Sequence, residues 1–166
     1  MENMNFKGLE KKLEQSCYIR ICKTVNNFIY VKLFKKNLKS NKEKIILFDV
    51  SENIIKGLNT ISCHIENNEN YIKGETTLID RLIKQGDCSL HFYKLDNGQL
   101  LASICMMNNE QYIPVKSVIV DGIVTGIETL NSCLHKKSKA QFPLSFYEET
   151  RRHKDSVIEY QKTLKK

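Results

Sequence analysis

The sequence predicts an α+β protein made of two repeated antiparallel sheet-plus-helix units of βββα type, packed as an intramolecular pseudo-dimer. Three observations carry this. Two stretches, CYIRICKTVNNFIYVKLF and CSLHFYKLDNGQLLASIC, alternate apolar and more polar residues at period two, the mark of half-buried strands. Each is interrupted by hairpin-turn chemistry, Asn26-Asn27 in one and Asp96-Asn97-Gly98 in the other. Laid over one another without a gap, the two stretches match Cys17 with Cys88, Lys23 with Lys94 and Asn26 with Asn97.

Taken in order, the first unit begins with Ile19 and Ile21, then Ile29, Val31 and Leu33, as the buried positions of a hairpin. A third strand follows over Lys44 to Val50. Ile54, Ile55, Leu58, Ile61 and Ile65 then form the stripe of an amphipathic helix, with strand as the competing assignment because the segment is rich in β-branched residues. The second unit repeats this order: two strands, a third over Tyr112 to Val120, then a helical stripe of Ile123, Ile127, Leu130 and Leu134. Pro114 cannot donate to a ladder, so it places its strand at an edge or a bulge. Ser51 and Asp121 are the expected helix N-caps. Gly57 and Gly126 fall at matching mid-helix positions, where glycine costs about 1 kcal/mol relative to alanine. That cost implies close approach of each helix to another element.

These readings divide the chain into an N-terminal segment (1–16), a first unit (17–66), a linker (67–87), a second unit (88–135) and a C-terminal arm (136–166). The linker carries a short helix from Thr77 with Leu78, Ile79, Leu82 and Ile83 on one side. The arm is polar nearly all round and reads as either a docked terminal helix or a mobile basic tail.

Composition narrows the classes. The 166 residues are 41% hydrophobic and 27% charged, which is globular rather than disordered. No apolar run is long enough to span a membrane, and the first 30 residues hold no secretory apolar core. Six cysteines inside apolar runs, without a CxxC pair, predict reduced buried thiols and a nuclear or cytoplasmic setting. The four histidines lack metal or nucleophile motifs, and the glycines are scattered singly, so no cofactor, metal or catalysis is expected.

Charge is distributed unevenly. The net +7 divides into about +6 on residues 17–65, about −2 on residues 88–135, and a basic arm beyond. If Ile19, Ile21, Ile29, Val31 and Leu33 face the core, the opposite face carries Tyr18 and Arg20 on one strand and Phe28, Tyr30, Lys32 and Phe34 on the next. A basic loop follows, with Lys35, Lys36, Lys39, Lys42 and Lys44. Rings for base stacking beside cations for phosphates are what a single-stranded nucleic acid requires. The competing reading makes the rings a second packed layer and the lysines a solvated loop.

A strand-strand-strand-helix unit used twice, carried by YIRICKTVNNFIYVKLFKK and KIILFDVSENIIKGLNTI, resembles the single-stranded-DNA-binding transcriptional coactivators of the positive-cofactor family and their Whirly and Pur relatives. The resemblance covers residues 17–135 and implies a curved binding sheet lined by Tyr18, Arg20, Phe28, Tyr30 and Lys32, with the lysine loop beside it. It implies that the chain is non-enzymatic and acts in transcription or replication. The second unit departs from the pattern, offering His91, Tyr93 and Gln99 on the matching face, which predicts one working half and one scaffold half. Two other readings stay open: a protein-interaction adaptor, as in a viral host-targeting factor, that uses the aromatic face as its anchor, and a homodimer that buries it.

Overall fold

Alternation places strands where expected, and a single antiparallel sheet collects all six. The computed structural model describes residues 6–136, apart from 15, 38, 41, 70–73, 87 and 109–110. The predicted arm lies outside the described residues beyond Lys136. In chain order the elements are α1 (Lys7–Leu13), β1 (Cys17–Lys23), β2 (Ile29–Lys36), β3 (Glu43–Ser51), α2 (Ile54–Glu66), α3 (Leu78–Lys84), β4 (Ser89–Lys94), β5 (Leu100–Asn108), β6 (Gln111–Val120) and α4 (Ile123–Lys136). The architecture is α+β, with strand order β3-β2-β1-β4-β5-β6.

The hairpins close on the predicted residues. Asn27 takes the left-handed conformation at φ 64° and Gly98 at φ 88°, as tight reversals require. Thr24 Oγ1 accepts from the Phe28 N–H at 3.1 Å, and Asn97 Oδ1 accepts from the Gln99 N–H at 2.9 Å. At the sheet centre β1 and β4 pair antiparallel, with Arg20 opposite His91, Ile19 opposite Phe92 and Ile21 opposite Leu90. The β2–β3 register shifts between Leu33 and Phe34, and the β5–β6 register between Ile104 and Cys105. Pro114 sits on edge strand β6 beside the second shift, so its missing N–H disturbs the ladder where it is already irregular.

All four helices contribute to one core on one face of the sheet. Ile19, Ile21, Ile29, Val31 and Leu33 are fully buried there, together with Leu90, Phe92, Leu100 and Ile104 from the second half. Burying each such side chain is worth about 1.5–3 kcal/mol, so this face dominates stability. α2 packs on β2 and β3, and α4 on β5 and β6. The two mid-helix glycines allow that approach. A Cβ on Gly57 would meet Val31 Cγ2 at 2.5 Å, and one on Gly126 would meet Ala102 Cβ and Phe92 Cε1 at 3.1 Å.

The helix starts differ from the sequence expectation. Asn53, not Ser51, caps α2, its Oδ1 accepting from the Lys56 N–H at 2.8 Å. Ser51 is still on β3 and turns its hydroxyl to Asp49. Asp121 accepts from Gln99 Nε2 at 3.2 Å, while the Ile123 N–H opening α4 reaches Glu10 Oε2 on α1 at 2.7 Å. The start of α2 is met in the same way: the Ile54 N–H donates to Asp80 Oδ1 on α3 at 2.6 Å. Each short helix thus supplies the carboxylate at the start of the other half's long helix. α1 itself has no counterpart in the sequence reading, which left 1–16 without structure. Its sequence KGLEKKL offers only Leu9 and Leu13 as buried residues, too few for a visible stripe.

Among the described residues no helix is long and apolar enough to cross a membrane. The six cysteines are unbridged, four of them buried.

Candidate nucleic-acid interface

The sheet face away from the helices carries Tyr18, Arg20, Tyr30, Lys32, Phe34 and Lys36 of the predicted residues. Its centre is a layer of polar and aromatic side chains packed on one another. Tyr18 stacks on Phe34 at 5.2 Å between centroids and on Tyr93 at 5.1 Å. The Arg20 guanidinium lies 4.6 Å from the Phe34 ring centroid and 4.8 Å from that of Tyr112, which reaches in from β6. Arg20 also donates to Tyr18 Oη at 3.0 Å and pairs with Glu43 at 3.3 Å.

The consequence for binding is direct. Tyr18 and Phe34 are only 4% and 6% exposed, so their ring faces are already covered and offer no platform to a base. Burial pushes the Tyr18 hydroxyl well above the usual phenol range, as it does for Tyr93. Burial works against the Arg20 charge, but Tyr18 and Glu43 outweigh it and keep the pKa above its ordinary value. Arg20 is a fixed cation already matched by Glu43.

His91 lies next to Arg20 across the β1–β4 pair, edge-on to Tyr112 at 4.8 Å and 2.9 Å from Ser89 Oγ. It is almost wholly buried, and burial together with the Arg20 charge lowers its pKa to about 3. A ring held neutral in this way is a packing group with a hydrogen bond, poorly suited to proton transfer near neutral pH. Among the described residues no three His, Cys, Asp or Glu side chains gather as a metal site.

Accessible rings and cations occupy the outer strands of the first half. The Tyr30 and Phe48 rings lie 5.3 Å apart, tilted by 50°, and Lys32 Nζ sits 4.3 Å from the Tyr30 ring centroid. Phe48 is 58% exposed, and Phe28 is exposed where the chain enters β2. Beyond β2 the loop presents Lys39 and Lys42 to solvent, its turn held by Asn37 Oδ1 accepting from the Lys39 N–H at 2.9 Å.

The structure separates some of the predicted lysines. Lys36 pairs with Glu43 across β2 and β3, on the open face. Lys35 pairs with Cys17 and with Lys44, and alternation turns both lysines to the helix side. The sequence held the signal for this, since Lys35 continues the Ile29, Val31, Leu33 series. Phe48 and Val50 are the contributors that the sequence reading passed over. In KIILFDV both faces carry large apolar residues, so alternation does not say which face is open.

In the second half the open face is closed or uncharged. Leu101 is buried against Leu95 and Tyr93, and Ser103 and Ser117 exchange a hydrogen bond at 2.9 Å. Met107 and Ile119 are the exposed apolar residues of β5 and β6. Compared with protein-family models, curated proteins and solved structures, the chain matches none.

Proposed function

We propose that this chain binds single-stranded nucleic acid, DNA or RNA, without catalysing a reaction on it, along the outer half of the open sheet face. The observation that carries the reading is the ring pair of half-buried Tyr30 and exposed Phe48, with Lys32 beside it and the Lys36, Lys39, Lys42 loop leading off the same strands. Each ring gives a base a stacking surface worth about 1–3 kcal/mol, and the lysines neutralise backbone phosphates. The packed Tyr18, Arg20, Phe34 and His91 layer beneath is the rigid floor of that site.

The reading includes a fold duplicated within one chain, in the manner of the Whirly and Pur relatives of the positive-cofactor coactivators, serving transcription or replication in a reducing nuclear, cytoplasmic or viral setting. Several observations support the duplication. The offset that lays Cys17 on Cys88 also lays Lys7–Leu13 on Leu78–Lys84 and the Leu33/Phe34 register shift on Ile104/Cys105. It relates Arg20 to its own strand partner His91, as a two-fold axis through the β1–β4 pair requires. The contacts of Glu10 with Ile123 and of Asp80 with Ile54 are reciprocal between the halves as well, though a one- or two-residue slip separates them from the Cys17-to-Cys88 offset.

Titration of labelled oligonucleotides by fluorescence anisotropy tests the proposal. Single strands are expected to bind at micromolar concentration or tighter. Four lysines (32, 36, 39 and 42) predict a slope of log affinity against log salt of about −3. Absence of binding at low salt overturns the reading. So does capture of a protein partner after nuclease treatment by a chain that binds no oligonucleotide, which favours an adaptor.

A further inference from the structure

We propose that the chain beyond Lys136 folds back over the open face of its own second half, setting Phe142 beside Pro114 and Phe146 on Leu95 and Leu101. Leu95 continues the His91, Tyr93 alternation and Leu101 pairs with Tyr93, so both leucines lie on the face away from the helices. Such a face of an antiparallel sheet ordinarily meets water. Leu95 and Leu101 are nonetheless 7% and 1% exposed, and among the described residues the apolar side chain packed on the pair is Tyr93. One ring beside two leucines does not close over both, so a further apolar group covers them.

The first half shows the same places without a cover. Tyr30 opposite Val50 matches Leu101 opposite Ile119, and Phe34 opposite Ile45 matches Cys105 opposite Pro114, the last two pairs each adjoining a register shift. Tyr30 is half-buried and Ile45 is exposed, whereas Leu101 and Pro114 are buried. Pro114 belongs to edge strand β6, with a strand neighbour on one side only, and is buried all the same.

Length, sequence and charge identify the cover as the chain's own C-terminal segment. α4 starts just after β6 and packs back on β5 and β6, so at Lys136 it delivers the chain to the end of the sheet where β5 passes into β6. Pro114 is close to that end and Leu101 far from it. The first apolar cluster beyond Lys136 is FPLSFY, from Phe142 to Tyr147. Extended chain spans about 20 Å from Lys136 to Phe142 and about 33 Å to Phe146, enough to round the β6 edge at Pro114 and run along the strand to Leu101. Residues 137–166 hold eight Lys or Arg against four Asp or Glu, so the segment is repelled by the first unit at about +6 and drawn to the second at about −2. The contact needs no nucleic acid and stands independently of the binding proposal.

Methyl-to-ring nuclear Overhauser effects in the full chain, labelled at leucine and phenylalanine and without nucleic acid, test it. Cross-peaks from the Leu95 and Leu101 methyls to the Phe146 ring are expected. They should be absent when one set of copies carries only labelled leucine and the other only labelled phenylalanine, because the contact lies within one chain. Phe142→Ser together with Phe146→Ser should shift the Leu101 methyl signals and raise binding of anilinonaphthalene sulfonate several-fold. Val157→Ser, outside the FPLSFY run, should leave both unchanged. The substituted residues lie outside the six-stranded sheet, so its far-ultraviolet circular dichroism should persist. Absence of the cross-peaks, or a double variant with unmoved Leu101 methyls and unchanged dye binding, would overturn the proposal. Cross-peaks found only between copies would overturn it too, and would assign the cover to the segment of a second copy.

Discussion

Replacing Asp80 by alanine probes the contact that ties the two halves together. The Asp80 carboxylate is completely buried and accepts three hydrogen bonds: from the Ile54 N–H at 2.6 Å, the Thr77 N–H at 2.8 Å and the Thr77 hydroxyl at 2.7 Å. The substitution leaves the Ile54 N–H without an acceptor in the protein interior, at a cost of about 1–3 kcal/mol. It also removes the capping box at the start of α3, worth about 1 kcal/mol. Burial raises the Asp80 pKa, so its charge is itself costly, and losing that charge returns part of the sum. A net loss of about 1–3 kcal/mol is expected, a large share of a typical domain stability. Glu10→Ala breaks the related contact to Ile123, but Glu10 is partly exposed, water can replace it, and about 1 kcal/mol is expected. Urea unfolding followed by circular dichroism reads both values. Because the carboxylates cross between the halves, each variant should unfold in one transition. An Asp80→Ala loss smaller than that of Glu10→Ala, or two separate transitions, would refute the reasoning.

Two further predictions concern the open face. His91 has a folded pKa of about 3, below its unfolded value, so its contribution to stability is fully present above about pH 6.5 and is lost as pH falls toward 3. Urea unfolding should show His91 costing the protein about 2 kcal/mol between pH 7 and pH 5. His91→Gln should lack that component, and an unchanged pH dependence would contradict the assignment. Glu43→Gln should strengthen oligonucleotide binding by up to about fivefold, since it frees Arg20 and removes a carboxylate from the basic edge, and the pair it breaks is only partly buried. Weaker binding in an anisotropy titration would mean that Glu43 organises the site instead of opposing it.

Much of the fold is legible in the sequence because it depends on local pattern. The hairpins follow from alternation plus Asn27 and Gly98, and the close helix–sheet approach from Gly57 and Gly126, whose cost had to be met by a contact. What stayed hidden depends on distant neighbours. Ser51 and Asp121 have the right chemistry for caps, but Asn53 sits closer to the first turn of α2 and Glu10 arrives from more than a hundred residues away. For the candidate site, the face each residue takes is legible in the sequence and its accessibility is not. Alternation puts Tyr18, Arg20 and Phe34 on the open side, yet it cannot tell that β4 lies next to β1 and brings Tyr93 over Tyr18. Nor can it foresee Tyr112 reaching Arg20 from β6. The aromatic face is a packed layer at its centre and carries exposed rings, Phe28 and Phe48, toward its edge.

The most direct test of the account compares Tyr30→Ala with Met107→Ala in anisotropy titrations of one single-stranded oligonucleotide. The two side chains occupy the same open face in opposite halves. The account predicts that Tyr30→Ala weakens binding by about 1–3 kcal/mol, the value of one lost base stack, while Met107→Ala leaves it unchanged. Equal losses at the two positions, or no loss at Tyr30, would contradict a site confined to the first half.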